Sequence, residues 1–327
     1  MNPKRQSLAR LAALSLAAAA PAGTWAQTEW PTRPVKLILP YPPGGATDRL
    51  ARLIAAPMGP LLGQPVIVEN RPGATGALGS SVAANANPDG YTLLVGFLGS
   101  MVLMPLLNRQ LAYDPQRDFI PITRLVTYDF VLVTRPDLPA TDLAGVIKLS
   151  KQRSQSIAYG STGIGSPGHL GMEEINRKSG ATLRHVPYKG DQAMLTDLLG
   201  EHVEMGVLTL NVAEPLIRAG KLKALAIATD RRSPKLPEVP TFAESGFSEA
   251  GFETWAGLMA PRETPAAVIA RLDSAAARAL QDPELRAALL DAGFTPAYNG
   301  PDAFKTLIED DRQRYSRLIE ASGVQIN

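Results

Sequence analysis

Residues 35–55 read VKLILPYPPGGATDRLARLIA. Val35–Leu39 is a short apolar run of the kind that forms a buried strand. It leads directly into Pro40-Tyr41-Pro42-Pro43-Gly44-Gly45, a turn composition that stops a strand. From about Asp48 to Leu62 apolar residues recur at helical spacing, with Pro57 and Pro60 expected to interrupt the helix. Strand, glycine turn and helix in that order make the first half of a βαβ unit.

The rest of the chain extends this grammar in both directions. Val66–Val68 is a second strand, followed by the loop Asn70-Arg71-Pro72-Gly73-Ala74-Thr75-Gly76 and a small-residue helix to about Ala86. Pro88-Asp89-Gly90 is a turn, and Tyr91–Val95 a third strand, so parallel pairing with right-handed crossovers follows. The pattern restarts at Phe130–Thr134. A helix over Thr141–Gln152, capped by Thr141, precedes the strand Ile157–Tyr159. The glycine-rich loop Gly160 to Gly168 then opens a helix to about Lys178. Leu183–Val186, Val203–Leu208 and Leu222–Ala228 read as strands, with helices at about 191–199 and 212–219 between them. Val268, Leu272, Ala275 and Leu280 mark one face of a tail helix, and Phe304, Leu307, Ile308 and Leu318 another. Two such units predict an α/β protein of two doubly wound lobes, with ligand in the crevice at the carboxyl ends of the strands.

Composition narrows the chemistry. The 327 residues are 45% hydrophobic and 20% charged, enough for two cores and unlike a disordered chain. The absence of cysteine excludes disulfides, thiolate catalysis and cysteine-ligated zinc. Lys4, Arg5 and Arg10 precede the apolar run Leu11 to Ala22, and small residues lead to Thr24-Trp25-Ala26. That is the layout of a signal peptide spanning residues 1–26, cleaved after Ala26 or, as runner-up, after Ala22, and it directs the chain to the periplasm. Without those residues 30 basic groups face 31 acidic ones, which gives no electrostatic basis for binding nucleic acid.

Three expected strands run into glycine-rich helix starts: PPGGATD at 42–48, RPGATGALG at 71–79 and GSTGIGSPG at 160–168. A helix start leaves N–H groups unpaired and carries partial positive charge, so each can hold a carboxylate or phosphate. Gly163 to Gly168 also spells GxGxxG, a dinucleotide signature. The next strand, however, ends in Val186-Pro187-Tyr188-Lys189-Gly190 with no acid placed for a ribose, and no cofactor is expected. His169, His185 and His202 lack the spacing of a metal site, and no GxSxG or Walker A sequence is present. Asp48, in a first helical turn, reads as a dipole partner more simply than as a base. Tyr188 and Lys189 supply either a hydroxyl donor and a cation or a solvated turn. No catalytic set emerges.

Ordered blocks along the chain resemble one family. WPTRPVKLILPYPPGGATDRLARLIA, GQPVIVENRPGATGALGSSVAANANPDGYTLL, YDPQRDFIPITRL, YGSTGIGSPGHL, HVPYKGDQAMLTDLLGEHVE, AGKLKALAIATDRRSPKLPEVPTFAESGF and ETWAGLMAP are similar to the Bug-type (TctC-type) substrate-binding proteins of tripartite tricarboxylate transporters. The resemblance implies a type II periplasmic binding protein: two lobes, helices on both faces of each sheet, and a cleft between them that closes on a small carboxylate for delivery to membrane transporter subunits. Lobe 1 is expected from 27–126 and 229–327 and lobe 2 from 127–228, with hinge strands near 125–130 and 227–232. The family's ligand loops match Gly44, Gly45 and Asp48, then Ala74, Thr75 and Gly76, then Ser161, Thr162, Gly163 and Ser166, with Tyr188 and Lys189 as further candidates. Phe97, Leu98 and Leu208 are apolar where polar residues are often found. As cleft wall they suit a mono- or dicarboxylate with an apolar or aromatic body, and as core residues they say nothing of the ligand. A periplasmic sensor for the same ligands is the alternative function; a nucleotide-dependent α/β enzyme is the third and lacks an activated nucleophile.

Overall fold

The computed structural model describes residues 30–73, 76–108 and 110–324. The expected signal peptide, Ala74 and Thr75 lie outside the described residues. Both sheets belong to the unit that begins at Arg33.

The first sheet runs β11-β4-β10-β3-β1-β2, built from β1 (Val35–Leu39), β2 (Val66–Asn70), β3 (Thr92–Phe97), β4 (Phe119–Tyr128), β10 (Thr254–Pro261) and β11 (Thr295–Asn299). The second runs β7-β6-β8-β5-β9, from β5 (Phe130–Thr134), β6 (Ile157–Ser161), β7 (Leu183–Pro187), β8 (Met205–Thr209) and β9 (Lys223–Ile227). β1, β2 and β3 pair in parallel, as do β6, β7 and β8. The first sheet also contains two antiparallel members, β10 and β11, and the second contains one, β5; the parallel reading included no antiparallel strand. β10 lies between β3 and β4, and β5 between β8 and β9. These directions put the carboxyl ends of β1–β4 on one edge, and those of β6–β9 on one edge of the other sheet.

Helix α1 (Ala46–Leu62) follows β1, and α2 (Ala77–Ala84) follows β2. In the second half α3 (Leu143–Gln152), α4 (Pro167–Ser179), α5 (Asp191–Leu199) and α6 (Leu210–Arg218) alternate with the strands. The tail adds α7 (Ala266–Ala279), α8 (Pro283–Asp291) and α9 (Pro301–Ser322). α1 runs unbroken through Pro57 and Pro60, against the expected interruption. Packing holds it: Ile54, Ala55, Met58 and Leu62 are all buried along one face. α3 is capped by Asp142, whose carboxylate accepts from Gly145 N, and not by Thr141.

β5 buries both faces. Phe130 and Leu132 join a core shared with Tyr159, Met205 and Val207, while Val131 and Val133 join Met194, Leu198 and Leu208 on the other side. One residue, Asp129, separates β4 from β5, so the chain leaves one sheet and enters the other at their carboxyl edges. Three segments are hydrogen-bonded there: Ala228 N donates to Phe130 O at 2.9 Å, Phe252 N to Ala228 O at 2.6 Å, and Leu210 N to Asp129 O at 2.9 Å.

Candidate functional site

The turn after β1 is organised by Asp48. Its carboxylate accepts from Gly44 N (3.1 Å), from Arg52 Nε (2.9 Å) and Nη2 (3.1 Å), and from Asn70 Nδ2 (2.9 Å). Asn70 Nδ2 also donates to Tyr41 O at 3.1 Å. Four donors around one carboxylate hold its pKa down to about 2, with the Arg52 hydrogen bonds contributing most. Asp48 is 5% exposed, so its oxygens face the loop they order while residues 42–46 stand in solvent. Gly44 takes φ of +84°, which L side chains rarely adopt, and no side chain caps α1 at Gly45. The first N–H groups of α1 therefore open outward.

The turn after β2 comes to the same place. Gly76 has φ of +93° and donates to Gly73 O at 3.0 Å, and α2 also begins without a side-chain cap. A Cβ at Gly79 would lie 2.8 Å from Pro40 Cα and 2.7 Å from Arg71 O, so α2 presses its backbone against the turn after β1. Two uncapped helix starts thus follow turns that are packed together through Pro40. After β3 the chain turns into a π-helix at Gly99–Leu103, fixed by Tyr113 OH donating to Ser100 O at 2.6 Å. Phe97, Leu98 and Leu208 are buried at 2%, 1% and 0% exposure. Of these, Phe97 meets Tyr41 edge-on at 5.0 Å between ring centres, so Tyr41 lies between the core and the loop. Burial pushes the Tyr41 phenol up to about 12.

The glycine loop of the second sheet is bonded mostly to itself. Ser166 Oγ caps α4 by accepting from His169 N at 3.3 Å, and also donates to Ser161 Oγ at 3.0 Å. Gly163 N donates to Ser161 Oγ at 3.3 Å, and Gly165 N to His169 Nδ1 at 3.0 Å. Ser161 Oγ and His185 Nε2 share a 2.7 Å hydrogen bond, and His185 stacks on His169 with ring centres 3.7 Å apart. The GxGxxG glycines therefore serve a capped turn over a histidine stack. Among these candidates Thr162 and Gly163 are partly exposed, whereas Ser161 is buried. Tyr188 adjoins them, its N–H donating to Ser161 O at 2.9 Å, but its hydroxyl turns away to Asp197 Oδ2 at 2.9 Å. Lys189 is exposed.

Gly44, Asp48 and Gly76 form one cluster, and Ser161, Gly163, Ser166 and Tyr188 a second on the other sheet. Sequence reasoning missed Asn70 and Arg52, which hold Asp48, and Tyr41, Tyr128, His185 and Asp191 at the strand ends. Asp191, directly after Gly190 at φ of +101°, carried the one usable signal: an acid opening a helix behind a strand and a glycine. Among the described residues no group of acids and histidines is placed to hold a metal ion.

Two mixed sheets, joined at their carboxyl edges and bearing open helix starts there, define a two-lobed periplasmic binding protein. The sequence matches the family described as Tripartite tricarboxylate transporter family receptor, TctC, over residues 50–324, and the chain belongs to that family. It is 35% identical to Protein BugT of Bordetella pertussis over 298 residues, covering 91% of each chain. Among solved structures it is similar to R. palustris Rpa4515 with adipate, at 33% identity and a TM-score of 0.81, covering 90% of this chain and 99% of that one. It is also similar to MatC from Rhodopseudomonas palustris with bound malate, at 33% identity and a TM-score of 0.76, covering 89% of this chain and all of the other. The family expected from the sequence blocks is the one found, and it is a family of solute-binding proteins and not of enzymes.

Proposed function

We propose that this protein is exported by residues 1–26, cleaved after Ala26, and captures a small carboxylate in the periplasm for delivery to the membrane subunits of a tripartite transporter. Residues 27–126 and 229–327 form one lobe and 127–228 the other, hinged near 125–130 and 227–232. One observation carries the reading: α1 and α2 both begin without a side-chain cap, and α2 packs through Gly79 against Pro40 in the turn that leads to α1. Two such starts offer several N–H donors and two positive dipole ends to one anion. Gly44, Gly45, Ala74, Thr75 and Gly76 surround the carboxylate, the Gly44 and Gly76 N–H groups fixing the turns through Asp48 and Gly73 O, and Thr162 and Gly163 approach it from the second sheet. Asp48, Ser161 and Ser166 shape these loops, and Tyr188 and Lys189 border them. The adipate and malate in Rpa4515 and MatC support the ligand class, and Tyr41 backed by Phe97 gives an aromatic body something to lie against.

A thermal-shift screen of purified residues 27–327 tests this with aliphatic and aromatic mono-, di- and tricarboxylates, amino acids and NAD. A ligand at about 100 times its Kd adds about 2.7 kcal/mol, and stabilisation confined to one class of carboxylate is the expected result. Stabilisation by NAD with every carboxylate silent overturns the reading.

A further inference from the structure

Asp191 opens α5, separated from the end of β7 by Tyr188, Lys189 and Gly190, with no side chain capping that helix. One of its oxygens is tied to the end of the neighbouring strand: Oδ2 accepts from Thr209 Oγ1 at 2.5 Å and from Thr209 N at 3.4 Å. The other, Oδ1, is buried and has no hydrogen-bond partner. A buried carboxylate oxygen without a donor loses its hydration and gains nothing in return. Burial raises the Asp191 pKa, and only the Thr209 hydrogen bonds oppose the rise.

The position of this oxygen matters as much as its isolation. Asp191 and Thr209 stand at the carboxyl edge of the second sheet, where β7 and β8 end. Thr209 pairs with Phe130, and Leu210 N donates to Asp129 O at 2.9 Å, so the strand end that holds Asp191 meets the crossing from β4 to β5. Asp191 therefore stands where the chain crosses from the carboxyl edge of the first sheet to that of the second.

We propose that Asp191 is a specificity-determining residue, its free Oδ1 accepting a hydrogen bond from a hydroxyl or ammonium group that the ligand carries beside its anchored carboxylate. This rests on the carboxylate reading above. Thr209 fixes the orientation of the acceptor, and the ligand brings the missing donor. An acid with a bare carbon chain leaves Oδ1 unsatisfied, and one with a second carboxylate at that point adds repulsion.

Calorimetric titration of the purified protein with matched acids tests it: succinate, malate and aspartate; adipate, 2-hydroxyadipate and 2-aminoadipate; phenylacetate, mandelate and phenylglycine. Within the skeleton that binds, the hydroxyl or amino member is expected to bind at least tenfold more tightly than the bare acid, and which of the two wins identifies the donor. Asp191→Asn is expected to erase that preference while leaving the bare acid within about threefold. Thr209→Val, which frees the carboxylate without removing it, is expected to reduce the preference in part. Equal binding of all three members, or equal weakening of all three by Asp191→Asn, overturns the role of Asp191 while leaving the carboxylate site standing. Silence of every acid overturns the carboxylate reading itself, and this proposal with it.

Discussion

His169 and His185 show how a single protonation can be set against the fold. His169 Nδ1 accepts from Gly165 N–H, so the ring must carry its proton on Nε2 and stay neutral to keep the glycine turn closed. His185 lies flat against it with ring planes 14° apart. Burial lowers both pKa values, that of His185 to about 4, where the neighbouring His169 adds to the fall. Near pH 6.5 and below, the unfolded chain takes up these protons before the folded one does. The stability of the folded form is therefore complete above about pH 6.5 and is lost as pH falls toward 4. Urea unfolding at pH 7 and pH 5 is expected to show a drop in midpoint that is smaller in His185→Phe, which keeps a flat ring in the stack but cannot titrate. An equal drop in both proteins removes the pair as a source of acid sensitivity.

At the scale of elements, the two anion loops are held together by the missing side chain at position 79. Gly79→Ala places a methyl group within 2.8 Å of the Pro40 backbone, which cannot yield as a flexible side chain would. α2 must back away, at a cost of about 1–3 kcal/mol, and the starts of α1 and α2 separate. Carboxylate binding should weaken along with thermal stability, whereas Gly63→Ala, at a helix end with open space around it, should lower stability alone. Unchanged affinity in Gly79→Ala separates the site from this contact.

What the sequence made legible follows the same logic of local against distant causes. β1, β3, β5 and the glycine turns were readable because apolar runs and turn residues carry their own signal. β4 and β10 were not: Pro121 interrupts one and Gly257 the other, and both are strands because each supplies the other's partner from more than a hundred residues away. Gly257 is also where Phe304 of α9 fits, a contact no local pattern announces. In the site, the positions of Gly44 and Gly76 could be read from the turns, but the occupancy of Asp48 could not. Its partner Asn70 lies 22 residues on, and only pairing of β1 with β2 brings them together.

For the whole molecule, the decisive contacts are those that join the two sheets outside the crossing strands. α6 begins where β8 ends, and Asn211 in its first turn donates from Nδ2 to Ala292 O at 3.2 Å, just before β11. Gly293, at φ of +85°, comes so close that a Cβ would lie 2.2 Å from Asn211 Cβ. Both ends of this contact lie at carboxyl edges, so it ties the edges beside the crossing at Asp129, at the β11 end of the first sheet. A tie made when the edges are close and broken when they part favours the closed form, and it raises apparent affinity by keeping that form populated. Asn211→Ala removes one such hydrogen bond, worth about 0.5–1.5 kcal/mol. The affinity for whichever carboxylate stabilises the protein should then fall roughly two- to tenfold. Small-angle scattering should show the ligand-free variant with a larger radius of gyration than the parent, and both converging on one value at saturating ligand. A loss of affinity with no change in the ligand-free radius would place Asn211 among the ligand contacts and not among the ties between the sheets.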